Sequence, residues 1–157
     1  MLEVLVSLVL IAITLLGQAG LQASALKLNK GATLRMQAVL LADELAERIE
    51  NNKTAAIAGS YVVANSSTPA AVGTNCLTNF CTPTELATYD LAVWQAGIVA
   101  RLPVSSWTVT HAVTGNPSTY SIVITWQDRR DNVDRVSYAT AGTSETLALT
   151  TTKVISQ

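Results

Sequence analysis

The amino-acid sequence predicts an α+β fold: a long N-terminal helix packed on a C-terminal antiparallel sheet of three to four strands, with a second short helix. Three observations predict it. No proline lies between Met1 and Glu50, apolar residues recur at steps of three and four from Leu34 to Ile49, and beyond Pro103 the apolar period changes to two. An amphipathic helix and a half-buried sheet each have one apolar face, and laying one on the other covers both. A length of 157 residues leaves room for one domain plus an appendage, since ordinary domains run to about 100 to 150 residues. Charged residues make up 13% and AVILMFWYC residues 49%, a balance too apolar for a disordered chain.

Much of that apolar excess sits at the N-terminus. Between Glu3 and Lys27 lie 23 residues without a formal charge. As a helix they would cover about 35 Å, enough for a bilayer core. A cleaved secretory signal would place basic residues ahead of the apolar stretch, whereas here an acid comes first, so a retained anchor is the better reading. The helical pattern continues past Lys27. Leu34, Ala38, Leu41, Leu45 and Ile49 form one stripe, with Asp43, Glu44, Glu47, Arg48 and Glu50 beside or opposite it. Glu44 and Arg48 are spaced for a helical ion pair. The whole reads as one helix of about 50 residues, roughly 75 Å long, with Asn51 and Asn52 as stop signals. Gly17 and Gly20 interrupt it at a propensity cost of about 1 kcal/mol each. Two readings stand for them: close approach of a neighbouring helix, or a weak point where the helix can bend or melt.

From Lys53 to Thr82 the chain is rich in Ala, Gly, Ser, Thr and Asn, shows no sustained period, and reads as a long surface connection. It contains the two cysteines, Cys76 and Cys81, within NCLTNFC. Two thiols and one histidine cannot fill a four-ligand zinc site, so a small disulfide loop is favoured over free thiols, stabilising by roughly 2 kcal/mol on the chain-entropy account. A disulfide needs an oxidising compartment. Lys27, Lys30 and Arg35 just after the apolar span would by themselves hold the C-terminal side in the cytoplasm, and the cysteines argue the other way.

Thr82, Pro83, Thr84 and Glu85 give a helix start, with Thr82 as N-cap, Pro83 at the first position and Glu85 completing a capping box. Leu86, Tyr89, Val93 and Trp94 are expected on one face of this second helix, which should end near Arg101, before Pro103. Trp107, Val109, His111 and Val113 then alternate with polar residues, as do Tyr120, Ile122, Ile124 and Trp126, around a turn at Gly115, Asn116 and Pro117. A third strand is expected over Val133 to Ala139 and a weaker fourth over Leu147 to Ile155. The alternating charges from Asp128 to Arg135 read as a solvated hairpin end, and no basic stripe points to nucleic acid.

Little supports catalysis. His111 falls on the apolar phase of a strand, and the chain holds no nucleophile elbow, phosphate loop or helical metal motif. No cofactor is expected. Ser7 and Thr14 can bond back to helix carbonyls. Glu3 is different, because a carboxylate inside an apolar segment costs on the order of 2.5 to 3.5 kcal/mol at mid-bilayer, and less near the interface. Either it snorkels to the headgroups or it finds a cation when subunits pack helix to helix, as a neighbouring chain's α-amino group would supply.

The run MLEVLVSLVLIAITLLGQAGLQ resembles the N-terminus of class III signal-peptide proteins, the type IV pilins and pseudopilins. In that family a prepilin peptidase cuts after a glycine, the new terminal residue is usually an N-methylated phenylalanine, and a glutamate lies four residues further on. By that resemblance Glu3 is the family's glutamate, and the mature chain would begin two residues before Met1. LLGQAGLQ, LLADELAERIENN (Leu40–Asn52), YDLAVWQAGIVARLP (Tyr89–Pro103) and ITWQDRR look like PilV-type minor pilins. Where many major pilins carry a helix-kinking proline, this chain has Gly20 or its neighbour. Cys76 and Cys81 lie ahead of the second helix, not in the C-terminal loop typical of major pilins, so that loop's receptor role is not carried over.

The resemblance implies a membrane-spanning and filament-core segment at residues 1–26 and a periplasmic pilin-like domain at 27–157. It implies a single-pass inner-membrane protein that moves into an extracellular pilus and its tip. The expected function is that of a minor pilin that primes type IV pilus assembly, with Glu3 paired to the terminal amine of an adjacent subunit. Implied partners are other minor pilins, the major pilin and a large PilC/PilY-type tip adhesin. Two alternatives remain: a GspI-like minor pseudopilin of a type II secretion system, and a surface-exposed adhesin whose 53–82 loop binds a ligand. Sequons stand at Asn52 and Asn65.

Overall fold

A computed structural model describes residues 2–129 and 144–156. Helix α1 runs unbroken over Leu2–Asn51, 50 residues, as the absence of proline and the two closing asparagines predict. The chain divides into two compact units, Met1–Thr33 and Leu34–Gln157.

In the first unit the leucines, valines and isoleucines of α1, among them Leu5, Val9, Ile13 and Leu16, are all exposed. A helix that is greasy all round has no polar side to turn outward. Its few hydroxyls stay within the helix: Ser7 Oγ donates to the Glu3 carbonyl at 2.7 Å, Thr14 Oγ1 to Ile11 at 2.8 Å and Ser24 Oγ to Gly20 at 3.1 Å. Those side chains satisfy their own polarity, which suits a segment with no water beside it.

The second unit begins with Leu34, the first buried residue of α1. Leu34, Ala38, Leu41, Leu45 and Ile49, the stripe read from the sequence, are buried, while Asp43 and Glu47 are exposed. After Asn52 comes a short helix α2, Lys53–Ile57, then strand β1, Val63–Ser66, helix α3, Pro83–Arg101, and strands β2, Ser106–Val113, β3, Ser118–Arg129, and β4, Ser144–Ile155. The strands lie in the order β1-β2-β3-β4, every neighbouring pair antiparallel. The inner face carries Trp107, Val109, Tyr120, Ile122, Ile124 and Trp126, with Leu149 opposite Ile124 and Leu147 opposite Trp126. These join the α1 stripe and Ala87, Leu91, Trp94 and Ile98 of α3 in one apolar core. Two buried bonds fix the pieces: Trp94 Nε1 donates to the Leu41 carbonyl at 2.7 Å, and the Tyr120 hydroxyl to the Ala56 carbonyl at 2.6 Å.

Helix α3 starts with the expected capping box. The Thr82 N–H donates to Glu85 Oε2 at 2.8 Å and the Glu85 N–H returns to Thr82 Oγ1 at 3.4 Å. Its buried face is turned from the expected one, however. Leu86, Tyr89 and Val93 are only half-buried, and Ala87, Asp90, Leu91, Trp94 and Ile98 face inward. Gly97 lies over Leu41, where a Cβ would stand in ordinary contact at 3.6 Å from Leu41 Cδ2, and Asp90 is turned inward to Arg48 of α1.

Three further expectations change. The stretch from Lys53 to Thr82 is not all connection, since it holds α2 and β1, whose five and four residues are too short to show a period. The sheet's additional strand is therefore β1 at its edge, whereas the strand expected over Val133 to Ala139 falls outside the described residues. Strand β4 opens at Ser144, earlier than expected. The β2 alternation holds through Trp107 and Val109 to the half-buried His111, then fails at Val113, which is exposed beyond a register shift between His111 and Val113. Asp128, read as part of a solvated hairpin end, is buried at the end of the inner face of β3; residues 130–135 of that run lie outside the described residues.

Candidate assembly surfaces

Glu3 lies in the first turn of α1, is exposed, and among the described residues no cation lies against its carboxylate. A carboxylate in the first helical turn also complements the positive end of the helix dipole. Gly17 and Gly20 sit inside continuous helix, and a Cβ at either would meet open space within this chain. By length and composition α1 is able to cross a membrane.

In the second unit the end of α1 is tied down by a polar cluster that the sequence did not reveal. Arg48 Nη1 donates to Asp90 Oδ1 at 2.7 Å and Arg48 Nη2 to Glu44 Oε1 at 2.9 Å, the latter being the helical pair read from spacing. The other Asp90 oxygen accepts from the Tyr61 hydroxyl at 2.9 Å. Asn52 Nδ2 donates to the Tyr61 hydroxyl at 3.1 Å and to the Pro83 carbonyl at 2.7 Å. One cluster thus joins α1, the turn after α2 and the start of α3. Burial pulls the Arg48 guanidinium down, but the Asp90 and Glu44 carboxylates outweigh it and leave it raised. Burial, and then the Asp90 carboxylate, push the Tyr61 phenol well above its usual range. The only sequence signal was Arg48 at i+4 from Glu44; Asp90 lies 42 residues away, beyond any local pattern.

The sequon asparagine Asn52 is part of this cluster and buried, whereas Asn65 is exposed in β1. At the far end, Lys153 of β4 and Lys53 each lie 3.3 Å from Glu50, and Lys53 Nζ donates to the Ser156 carbonyl at 2.8 Å. His111 stacks on Tyr120, ring centroids 4.6 Å apart, and its Nδ1 lies 3.2 Å from where a Cβ on Gly59 would stand. Gly59 has φ of +80°, so the turn after α2 takes glycine for both reasons. That packing makes His111 a sheet residue held between Tyr120 and the Gly59 turn. Cys76 and Cys81 are joined by a disulfide, so both described thiols are used. Among the described residues no group of three His, Cys, Asp or Glu could hold a metal ion.

A long helix apolar all round in its first half, a second helix and a four-stranded antiparallel sheet are consistent with the α+β architecture of type IV pilins. Residues 20–92 match the family model described as Tt1218-like, Type IV pilin Tt1218, from Gly20 through the disulfide loop and into α3. That match, over slightly less than half of the chain, supports the type IV pilin superfamily and a role as a pilin structural subunit. No curated protein and no solved structure matches the chain at a significant level.

Proposed function

We propose that the chain is a minor pilin that helps prime type IV pilus assembly and sits in the tip complex. The observation that carries this reading is the first unit of α1, whose large apolar side chains are exposed along its whole length behind a single acid, Glu3. Such a surface is costly in water and has two natural surroundings, lipid before assembly and neighbouring helices after it. Residues 1–26 serve as membrane anchor and then filament core, and residues 27–157 form the periplasmic domain that ends on the pilus surface. Glu3 pairs with the terminal amine of an adjacent subunit, a partner that removes the cost of burying the charge. Gly17 and Gly20 either allow close helix approach or let the helix bend on leaving the membrane. Other minor pilins, the major pilin and a PilC/PilY-type adhesin are the partners this reading names. It assigns no catalytic step and no cofactor.

Glu3→Ala tests it. The expected result is loss of co-purification with other minor pilins from detergent-solubilised membranes, and reduced piliation, with the chain still membrane-inserted. Unchanged piliation and co-purification would sink the assignment. Recovery with type II secretion subunits instead would move the chain to the GspI-like pseudopilins.

A further inference from the structure

The disulfide loop ahead of α3 presents an apolar pair in a place where packing offers none. Leu77 is 82% exposed and Phe80 is 108% exposed, the two largest exposures of a large apolar side chain among the described residues. Both lie between Cys76 and Cys81, whose disulfide closes the loop. The loop's polar groups are turned on one another. Leu77 N–H donates to Asn75 Oδ1 at 3.0 Å, Thr78 N–H to the Asn75 carbonyl at 3.3 Å, and Asn79 Nδ2 to the same carbonyl at 3.0 Å. What remains for a partner is the pair of apolar side chains on a backbone already held by a covalent bond and a turn. Preorganisation of this kind lowers the ordering cost of binding.

Charge narrows the partner. No aspartate, glutamate, lysine, arginine or histidine occurs from Thr54 to Thr84. A loop that docks on an anionic lipid surface uses lysine or arginine beside its apolar residues, and this one has neither. Size narrows it further. Two such side chains offer on the order of 300–400 Å², against about 800 Å² per partner in a stable protein interface. A patch of that size is too small to hold a free partner but sufficient for one already tethered alongside, where the effective concentration reaches about the millimolar range.

We infer that the Leu77–Phe80 loop is an apolar knob that inserts into an uncharged apolar pocket on a neighbouring pilin-like subunit of the same assembly. The inference rests on the proposed function, because the tether is the packing of N-terminal helices. The knob secures the contact between globular domains, and the disulfide sets its shape.

The test uses the full chain in its own cells, with Phe80 replaced by the photo-crosslinker p-benzoylphenylalanine. The expected product is a crosslink to another pilin-like subunit, mapped to apolar residues, with a yield about tenfold lower when Leu77→Ser is added or when both cysteines become serine. Crosslinks to lipid alone, to a protein outside the assembly, or none at all overturn the inference, as does a yield indifferent to both changes. Leu77 is exposed, so Leu77→Ser leaves folding intact, as circular dichroism of the purified chain will register. Glu3→Ala run in parallel separates the two levels. Loss of co-assembly in Glu3→Ala with no Phe80 crosslink in its parent removes this inference alone, whereas co-assembly that survives Glu3→Ala removes the functional reading beneath it.

Discussion

Leucine, valine, isoleucine and alanine dominate both parts of α1, and the two parts dispose of them in opposite ways. In the first unit Leu5, Val9 and Leu16 are exposed; in the second Leu41, Leu45 and Ile49 are fully buried against α3 and the sheet. The helix itself is one continuous element, so secondary structure does not mark the change. What marks it is patterning. Between Glu3 and Lys27 no charge breaks the surface, which suits lipid or other helices better than water. From Leu34 onward acids and Arg48 occupy the sides of one stripe, and that stripe has a partner in the same chain. On the proposed function the same residue types serve assembly between molecules in one half, while in the other they serve folding within a molecule.

Matched substitutions break this comparison most sharply. Leu45→Ala, at 0% exposure, is expected to destabilise the folded second unit by about 2–5 kcal/mol through lost burial and a cavity. Leu10→Ala, 59% exposed in the first unit, is expected to stay within about 0.5 kcal/mol. Urea unfolding of each full-length variant in detergent, followed by tryptophan fluorescence, compares them; equal effects would mean that the two halves are not different after all.

Next in size is Arg48→Ala, which leaves the buried Asp90 with the Tyr61 hydroxyl as its side-chain donor among the described residues. A fully buried pair broken this way costs about 3–5 kcal/mol, and the partial exposure of Arg48 reduces the expectation to about 2 kcal/mol. Asp90→Asn combined with Arg48→Met should recover part of the loss in the same unfolding assay.

The Tyr61 phenol gives a pH signature. Its folded pKa is raised above the unfolded value of about 10, so its contribution is whole below about pH 10 and is lost as pH rises toward the folded value. Burial raises the Tyr120 phenol as well, in the same sense. Stability should fall on the alkaline side, and Tyr61→Phe should flatten that fall relative to the parent. An unchanged alkaline limb in Tyr61→Phe would show that the cluster does not hold the phenol's proton.

The smallest effect belongs to Thr82→Ala. Losing the side-chain half of the capping box should cost about 1 kcal/mol, read as a lower urea midpoint at unchanged slope. Because α3 and the disulfide loop adjoin at Thr82, the variant also reports whether the loop's order depends on the helix start.

How much of this was legible follows the length of each pattern. The stripe from Leu34 to Ile49, the capping box at Thr82 and the alternations around Trp107 and Tyr120 span enough residues for a period or a motif to stand out, and each is where the sequence put it, except at Val113 beyond the register shift. α2 and β1 are one turn and one short edge strand, and their residues carry no signal apart from their neighbours. The inward face of α3 was misplaced because Asp90 looks like a surface acid until Arg48, on another helix, is known to meet it. Asp128 was misplaced for a similar reason: a charge at the end of an apolar phase reads as solvent-facing unless its surroundings are known. Leu77 and Phe80 had a usable signal, two large apolar residues between paired cysteines in a stretch with no period, and both are exposed. Glu3 was legible as an unusual acid from physics, and its role came only from resemblance, because its proposed partner belongs to another chain.

The central claim is that the exposed half of α1 exists to build an assembly. Mass spectrometry of sheared, washed surface filaments from cells making the full-length chain tests it most directly. The account predicts that the chain is recovered in the filament fraction and that Glu3→Ala removes it from that fraction while leaving it in the membrane. Its absence from filaments, or its presence there regardless of Glu3, would contradict the account.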